Sequence, residues 1–308
     1  MQPPLSHKPV LLAEVLEKLQ PRPGGFSVDG TIGSGGHAAA LLRATSPNGK
    51  LFGCDRDGDA LEAAGRRIAE FAGRFELRRG NFADLPQWVA AGTADSVLLD
   101  LGVSSPQLDR PERGFSFRSG PLDMRMDVRQ ALTAETLVNE ASAEELAKIF
   151  WEYGGERDSR RFARAIVNDR QQRRFTDTAQ LAELIERLSP RGTKTHPATK
   201  VFQALRIAVN DEIGSLKAGL AGALTILKSG GRLAVISFHS LEDRVVKDFM
   251  RERARDYTFE GEVDVPELRQ PQAPEVKVVT RKAVKAGAVE LAENPRSRSA
   301  QLRAVEKL

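Results

Sequence analysis

Apolar positions repeat at helical spacing at the start of the chain. Leu12, Val15, Leu16 and Leu19 mark one helix, which Pro21, Pro23, Gly24 and Gly25 bring to an end. Short apolar runs then alternate with helical stretches. Strands are predicted over 26–29, 51–55, 75–78 and 96–101, with helices over about 36–43 and 59–71 between them. Such alternation predicts a parallel sheet. The pattern changes over 111–207, where the signals are mostly helical. Ser142 and Glu145 form a capping box ahead of Leu146, Ile149 and Phe150. Asp177 and Gln180 open a helix with Leu181, Leu184, Ile185 and Leu188 on one face, and Val201, Leu205, Ala208 and Val209 mark another. A helix over 216–227, the turn Lys228-Ser229-Gly230-Gly231 and a strand over 232–238 resume the α/β pattern. The polar stretch 256–274, with three prolines, reads as a loop; 276–280 and 299–305 read as a closing antiparallel pair. The simplest organisation is an α/β domain over 1–110 and 208–308, with a helical domain over 111–207 inserted after the fourth strand.

The 308 residues suffice for one large domain or two modest ones, and 41% are hydrophobic. The formal net charge of +4 fits a nucleic-acid partner only weakly. Its distribution is more informative. Seven arginines and two aspartates lie between Arg157 and Arg174, and eight basic and three acidic residues between Lys277 and Leu308. Solvated faces explain such runs as well as phosphate contacts do. Cys54 is the only cysteine, so a reducing compartment is expected. No apolar run nears the roughly 20 residues of a membrane span, and no signal-peptide core is visible. These features predict a soluble cytoplasmic protein with no membrane partner. Four histidines and one cysteine show no ligand spacing, so no metal is expected.

Chemistry concentrates at the strand ends. Residues 28–37 read Val-Asp-Gly-Thr-Ile-Gly-Ser-Gly-Gly-His. Such a loop lets a nucleotide approach the backbone closely. Asp55 follows Gly35 by twenty residues, the distance at which an acid binds a ribose hydroxyl. The frame Asp29-x-Thr31-x-Gly33-x-Gly35 resembles motif I of class I S-adenosylmethionine-dependent methyltransferases, with Thr31 replacing the usual first glycine. Asn81-Phe82, Asp100 and Lys228 to Gly231 complete an ordered set; tight turns alone explain the whole set poorly. Each residue also has a plainer reading. Asp55 could cap a helix, Phe82 could be a core aromatic, and His37 could cap the helix it opens. Gly35 and Gly36 are costly at a helix start unless something approaches closely.

A sulfonium methyl is already activated, so the acceptor must be aligned and water excluded. Methylation of cytosine carbon 5 needs a cysteine nucleophile. Cys54, inside the second strand, is badly placed for that role, which favours nitrogen or oxygen as acceptor. Asp100 is the candidate for orienting an amine or the cofactor. The chain carries Asp100-Leu101-Gly102-Val103 there, not the Asp/Asn-Pro-Pro-Tyr of many amino-directed enzymes.

Longer motifs narrow the field. Asp29 to His37, Asp55-Arg56-Asp57, Asp100 to Gln107, Arg113 to Phe117, Gly120 to Asp127, Ser237 to Asp243 and Asn294 to Ser299 resemble one family. It is the bacterial small-subunit ribosomal RNA cytosine-N4 methyltransferases, and the likeness runs from His7 to Val305. The resemblance implies a class I methyltransferase fold with an inserted helical substrate-recognition domain. It implies methyl transfer from S-adenosylmethionine to the N4 amine of one cytosine in the decoding centre of 16S rRNA, within the small ribosomal subunit. By position, it implies cofactor contacts at Gly35, Gly36, His37, Asp55, Phe82, Asp100 and Gln107. Asp123, Arg125 and Asp127 would either shape a substrate pocket or tie down the inserted domain. His239 and Ser240 are substrate candidates. The arginine-rich helix, Arg296 and Arg298 are candidate phosphate contacts. A homodimer is left open. The alternatives are a methyltransferase for another nucleic-acid or protein amine, a nucleotide-dependent dehydrogenase, and a non-catalytic RNA-binding assembly factor.

Overall fold

Most apolar runs of the first hundred residues become strands covered on both faces; Phe75–Arg79 is the exception, an edge strand with Glu76 and Arg78 exposed. A computed structural model of the chain describes residues 8–190, 195–259 and 264–308. His7, residues 191–194 of the helical stretch and residues 260–263 of the expected loop lie outside the described residues. Up to Gly102 the order is α1 (Leu12–Leu19), β1 (Phe26–Asp29), α2 (Gly36–Ala44), β2 (Lys50–Asp55), α3 (Gly58–Arg67), β3 (Phe75–Arg79), α4 (Leu85–Trp88) and β4 (Ala94–Asp100). Helices follow: α5 (Ser105–Asp109), α6 (Ala134–Glu140), α7 (Ala143–Gly154), α8 (Ser159–Gln172), α9 (Thr178–Leu188) and α10 (Thr199–Asn210). Then come α11 (Glu212–Ile226), β5 (Leu227–Ser237), α12 (Ser240–Arg253), β6 (Tyr257–Phe259), β7 (Arg269–Pro271), β8 (Val276–Val278), α13 (Ala288–Glu293) and β9 (Gln301–Lys307). The chain divides into two compact units. One holds the described residues up to Gly102 and from Ile213 onward; the other is Val103–Glu212. The span 111–207 expected for the helical domain lies inside the second.

The first unit is a seven-stranded sheet in the order β3-β2-β1-β4-β5-β9-β8. The first five of these run parallel, and β9 is antiparallel to both β5 and β8. Side chains alternate between the faces. Val97 and Leu99 join one apolar cluster with Leu216 and Leu220 of α11 and Val246 of α12. Leu98 joins the other, with Leu41 and Leu42 of α2 and Ala64 of α3. Helices on both faces explain why β4 reads as a continuous apolar run. The expected closing pair is present, with Val278 opposite Val305.

Two local expectations fail. The stretch expected as a loop contains the antiparallel pair β6–β7. Polar contacts hold it: Tyr257 and Arg269 both donate to Asp264, and the Arg269 guanidinium lies 4.1 Å from the Tyr257 ring centre. The only alternation is Tyr257-Thr258-Phe259, too short to betray a strand, and β7 is wholly exposed. Lys228 to Gly231 do not belong to the strand-end set either. They lie within a register shift where β5 meets the start of β4, and Lys228 pairs with Asp95 there.

The second unit has its own core. Leu146 and Phe150 of α7 pack with Phe162 of α8, Leu181 of α9 and Leu205 of α10. The predicted capping box forms, with Glu145 accepting the Ser142 N–H at 2.8 Å.

Candidate active site

Parallel strands bring their carboxyl ends to one edge of a sheet. Here β1, β2 and β4 end in Asp29, Asp55 and Asp100. The loop after β1 is pinned to both neighbouring strands. Gly30 N–H donates to the Leu98 carbonyl at 2.9 Å, and Ile32 N–H to the Cys54 carbonyl at 3.0 Å. Thr31 occupies the first-glycine position because its hydroxyl is used: it accepts the Asp100 N–H at 2.6 Å. Asp55 accepts the Gly33 N–H through one carboxylate oxygen and the Asp57 N–H through the other, both at 2.9 Å. The cap of α3 is Asp57, which accepts from Asp59 N–H at 3.0 Å. Asp55 is therefore not the helix cap.

The glycines divide by purpose. Gly35 sits at φ +79°, and a Cβ there would lie 3.0 Å from the Ala64 backbone; one on Gly36 would lie 3.0 Å from Pro9. The close approach that their cost demanded is made by the protein itself. Gly33, at φ +50°, has only the Thr31 carbonyl oxygen near its missing Cβ, at 3.9 Å. It leaves the open side of the loop.

His37, in the first turn of α2, is buried, and its Nε2 lies 3.6 Å from an Asp100 oxygen. Neither His37 ring nitrogen has a hydrogen-bond partner among the described residues, nor does Oδ1 of Asp100. Burial pushes the Asp29 carboxyl up to about 7, against the pull of His37 and the Thr31 N–H. The charges of Asp100 and Asp55 add to that rise. Burial likewise pushes Asp55 up to about 6. Phe82 packs toward the core, close against Gly219 of α11. Asn81 donates to Ser215 of the same helix at 2.9 Å. Cys54 is fully buried, its thiol donates to the Gly30 carbonyl, and burial raises it well above the ordinary thiol value.

At the end of β5, His239 caps α12. Its Nδ1 accepts the Glu242 N–H at 3.3 Å, and Glu242 in turn accepts the Phe238 N–H at 2.8 Å. Ser240, Arg296 and Arg298 are exposed.

In the second unit, Gln107 caps its own short helix by accepting the Ser104 N–H at 2.9 Å. Arg125 grips Asp123 with two bonds of 2.8 Å and donates to the Val128 and Gln130 carbonyls. Asp127 holds Arg129. Asn210, which the sequence did not single out, donates to the Met124 carbonyl at 2.8 Å and accepts the Met126 N–H at 2.7 Å. The loop is thus tied to α10 by this amide and by that of Gln130, which donates to the Val209 carbonyl at 2.8 Å. Within this unit Arg125 is a brace. Arg125→Ala is expected to destabilise the protein by about 2–3 kcal/mol, the scale of losing charged hydrogen bonds. Urea denaturation measures this. Unchanged stability with lost cofactor affinity would instead make Arg125 a ligand contact.

Buried polar groups are nearly always paired. The orphaned atoms of His37 and Asp100, the open face at Gly33 and three clustered carboxyls therefore fit a cationic ligand bearing hydroxyl groups, as S-adenosylmethionine is. The sheet extends the 3-2-1-4-5 order of nucleotide-binding folds with an antiparallel strand next to the last of these five. That fold and that edge define a class I S-adenosylmethionine-dependent methyltransferase. Comparison with known proteins takes this further. The chain belongs to the MraW methylase family, whose model matches residues 4–308. It is 52% identical over 309 residues to ribosomal RNA small subunit methyltransferase H of Syntrophotalea carbinolica, covering 98% of both chains. The proteins of that name from Symbiobacterium thermophilum and Geobacter sulfurreducens are also 52% identical, with 98% of this chain covered and 96% and 99% of theirs. Membership removes the dehydrogenase reading.

Proposed function

We propose that this methyltransferase modifies the N4 amine of one cytosine in the decoding centre of 16S rRNA, on the small ribosomal subunit in the cytoplasm. The names of the relatives support a small-subunit rRNA substrate. The observation that carries the acceptor chemistry is the Asp100 carboxylate at the end of β4, with one buried oxygen unpartnered.

The lone pair of a cytosine amine is delocalised into its ring. A carboxylate that accepts an amine N–H holds the nitrogen and turns its lone pair outward. Asp100 is assigned that task, with His37 beside it. Bound S-adenosylmethionine supplies a methyl group already activated on sulfur. Asp55 would accept hydrogen bonds from ribose hydroxyls, since each of its oxygens keeps capacity beyond the bonds to Gly33 and Asp57. As the N–C bond forms, the S–C bond breaks, and the amine proton leaves to water. The buried, protonated Cys54 supports nitrogen over ring carbon as acceptor, because no other thiol is present to attack the ring. The cytosine must leave its stack, at a cost of a few kcal/mol. Substrate recognition is assigned to the Val103–Glu212 unit.

The test is mass spectrometry of 16S rRNA. Small subunits from a strain lacking the enzyme are incubated with the protein and cofactor. One new N4-methylcytosine is expected. A 5-methylcytosine, or a methyl group on protein, would refute the assignment.

A further inference from the structure

A groove of about 980 Å³ runs between α7 and α8 in the helical unit, at the upper end of the usual range for ligand sites. One wall carries Glu144, Ala147, Lys148 and Trp151, spaced at i, i+3, i+4 and i+7 on α7. The other carries Arg160, Arg161 and Arg164 of α8, with Arg157 from the turn just before it. Two features set this groove apart from an ordinary solvated face.

The first is Trp151. Its neighbour Phe150 is fully buried in the core, yet Trp151 is 59% exposed. No aromatic or guanidinium contact to its ring occurs among the described residues. An exposed indole costs apolar hydration that a bound flat ring would relieve. The second is the state of the arginines. Farther along this stretch Arg170 donates to the Val138 and Ala141 carbonyls and Arg174 pairs with Glu135, while Arg173 is exposed. Arg161 pairs with Asp158 and donates to the Leu188 carbonyl. Arg157, Arg160 and Arg164 are exposed, with no hydrogen bond or ion pair to the described residues. Five cationic side chains face two acidic ones, Glu144 and Asp158, across the groove.

We propose that this groove binds a single-stranded segment of the substrate RNA, with one unpaired base stacked on Trp151 and backbone phosphates held by Arg157, Arg160 and Arg164. The inference rests on rRNA being the substrate. A base offers a flat face and phosphates offer charge, which is the pairing this groove provides. An acidic peptide would match the arginines but leave the indole uncovered. Stacking on an aromatic ring tolerates any base, so the groove supplies grip and register, and sequence choice falls to the catalytic site.

The test uses the full-length protein, W151A, W151F and the double variant R160A/R164A. Small subunits serve as substrate and naked 16S rRNA as binding probe. W151A is expected to raise KM about tenfold with kcat unchanged, and W151F to restore most of it. The double variant is expected to lower the slope of log affinity against log salt by about two. Wild-type tryptophan fluorescence should be quenched on titration with naked rRNA, with the effect absent in W151F. Unchanged KM and unchanged salt slope would overturn the proposal. Loss of binding to subunits but not to naked rRNA would assign the groove to a protein partner and overturn it as well. If the wild-type protein methylated no rRNA, the functional reading would fail, and the naked-rRNA titration would still decide the groove.

Discussion

Asp100→Ala is expected to lower methyl transfer at least a hundredfold without lowering stability. The direction of both effects follows from one geometry. The Asp100 backbone is fixed by β4 and by the Thr31 hydroxyl, which accepts its N–H; the side chain is not needed for either. One carboxylate oxygen is buried without a partner among the described residues, and the other lies 3.6 Å from Nε2 of His37. A buried polar atom left unsatisfied destabilises the fold by about 1–3 kcal/mol. Removing it should leave the melting temperature level or raise it, a trade of stability against activity seen at functional sites. Activity should fall because positioned acid–base and hydrogen-bonding groups typically contribute 10²–10⁴-fold. Thermal denaturation and single-turnover methylation test the two effects, and cofactor calorimetry shows whether binding is spared. Full activity in the variant would remove Asp100 from the chemistry. Loss of cofactor affinity equal to the loss of rate would move its role from the amine to the cofactor.

The second large effect is on stability, and it depends on pH. Asp29 sits at about 7 in the folded chain against an ordinary 3.8, chiefly through burial. Between those values the folded state keeps a proton that the unfolded state has lost. Stability therefore falls as pH rises through this window, and is level above it. From pH 5 to pH 8 the loss amounts to about 3 kcal/mol, at roughly 1.4 kcal/mol for each unit of pH up to 7. Asp29→Asn removes the titration. Its amide oxygen can still accept the Thr31 N–H that Asp29 accepts at 3.2 Å. The variant should gain on the wild type by about that amount between pH 5 and pH 8 in urea denaturation. Parallel stability curves would show that Asp29 is already ionised in the folded chain. A cationic ligand would offset the charge of an ionised Asp29, so wild-type cofactor affinity should rise with pH over the same interval.

The acids at the strand ends were legible because a parallel sheet sends every strand's carboxyl end to one edge. Reading the strands was then enough to gather Asp29, Asp55 and Asp100. What stayed hidden is what those acids do within the fold. The bond from Asp100 to Thr31 spans 69 positions, and that from Met126 to Asn210 spans 84. Neither leaves a periodic trace. Gly35 and Gly36 showed that something comes close, but only the packing shows it to be Ala64 and Pro9. His239 has the same ambiguity, since a cap and a ligand contact both call for a polar side chain at a strand's end. Lys228 to Gly231 looked like one more ligand turn because spacing cannot tell which edge a glycine turn occupies. Asp123, Arg125 and Asp127 formed a charged cluster in sequence, and their bonds within the loop give them a bracing duty there.

The placement of β9 bears on how the chain is made. This strand, Gln301–Lys307, lies between β5 and β8, so its place in the sheet is filled only after every other described strand has been synthesised. Until it arrives, β5 presents a bare row of amides and carbonyls beside apolar side chains, a template for pairing with another chain. The helical unit, emerging earlier and held by its own core, can fold meanwhile. A chain ending before residue 301 would thus carry a finished helical unit on an open sheet. Such fragments would be removed by aggregation or proteolysis and would leave little partly active enzyme to compete for its substrate.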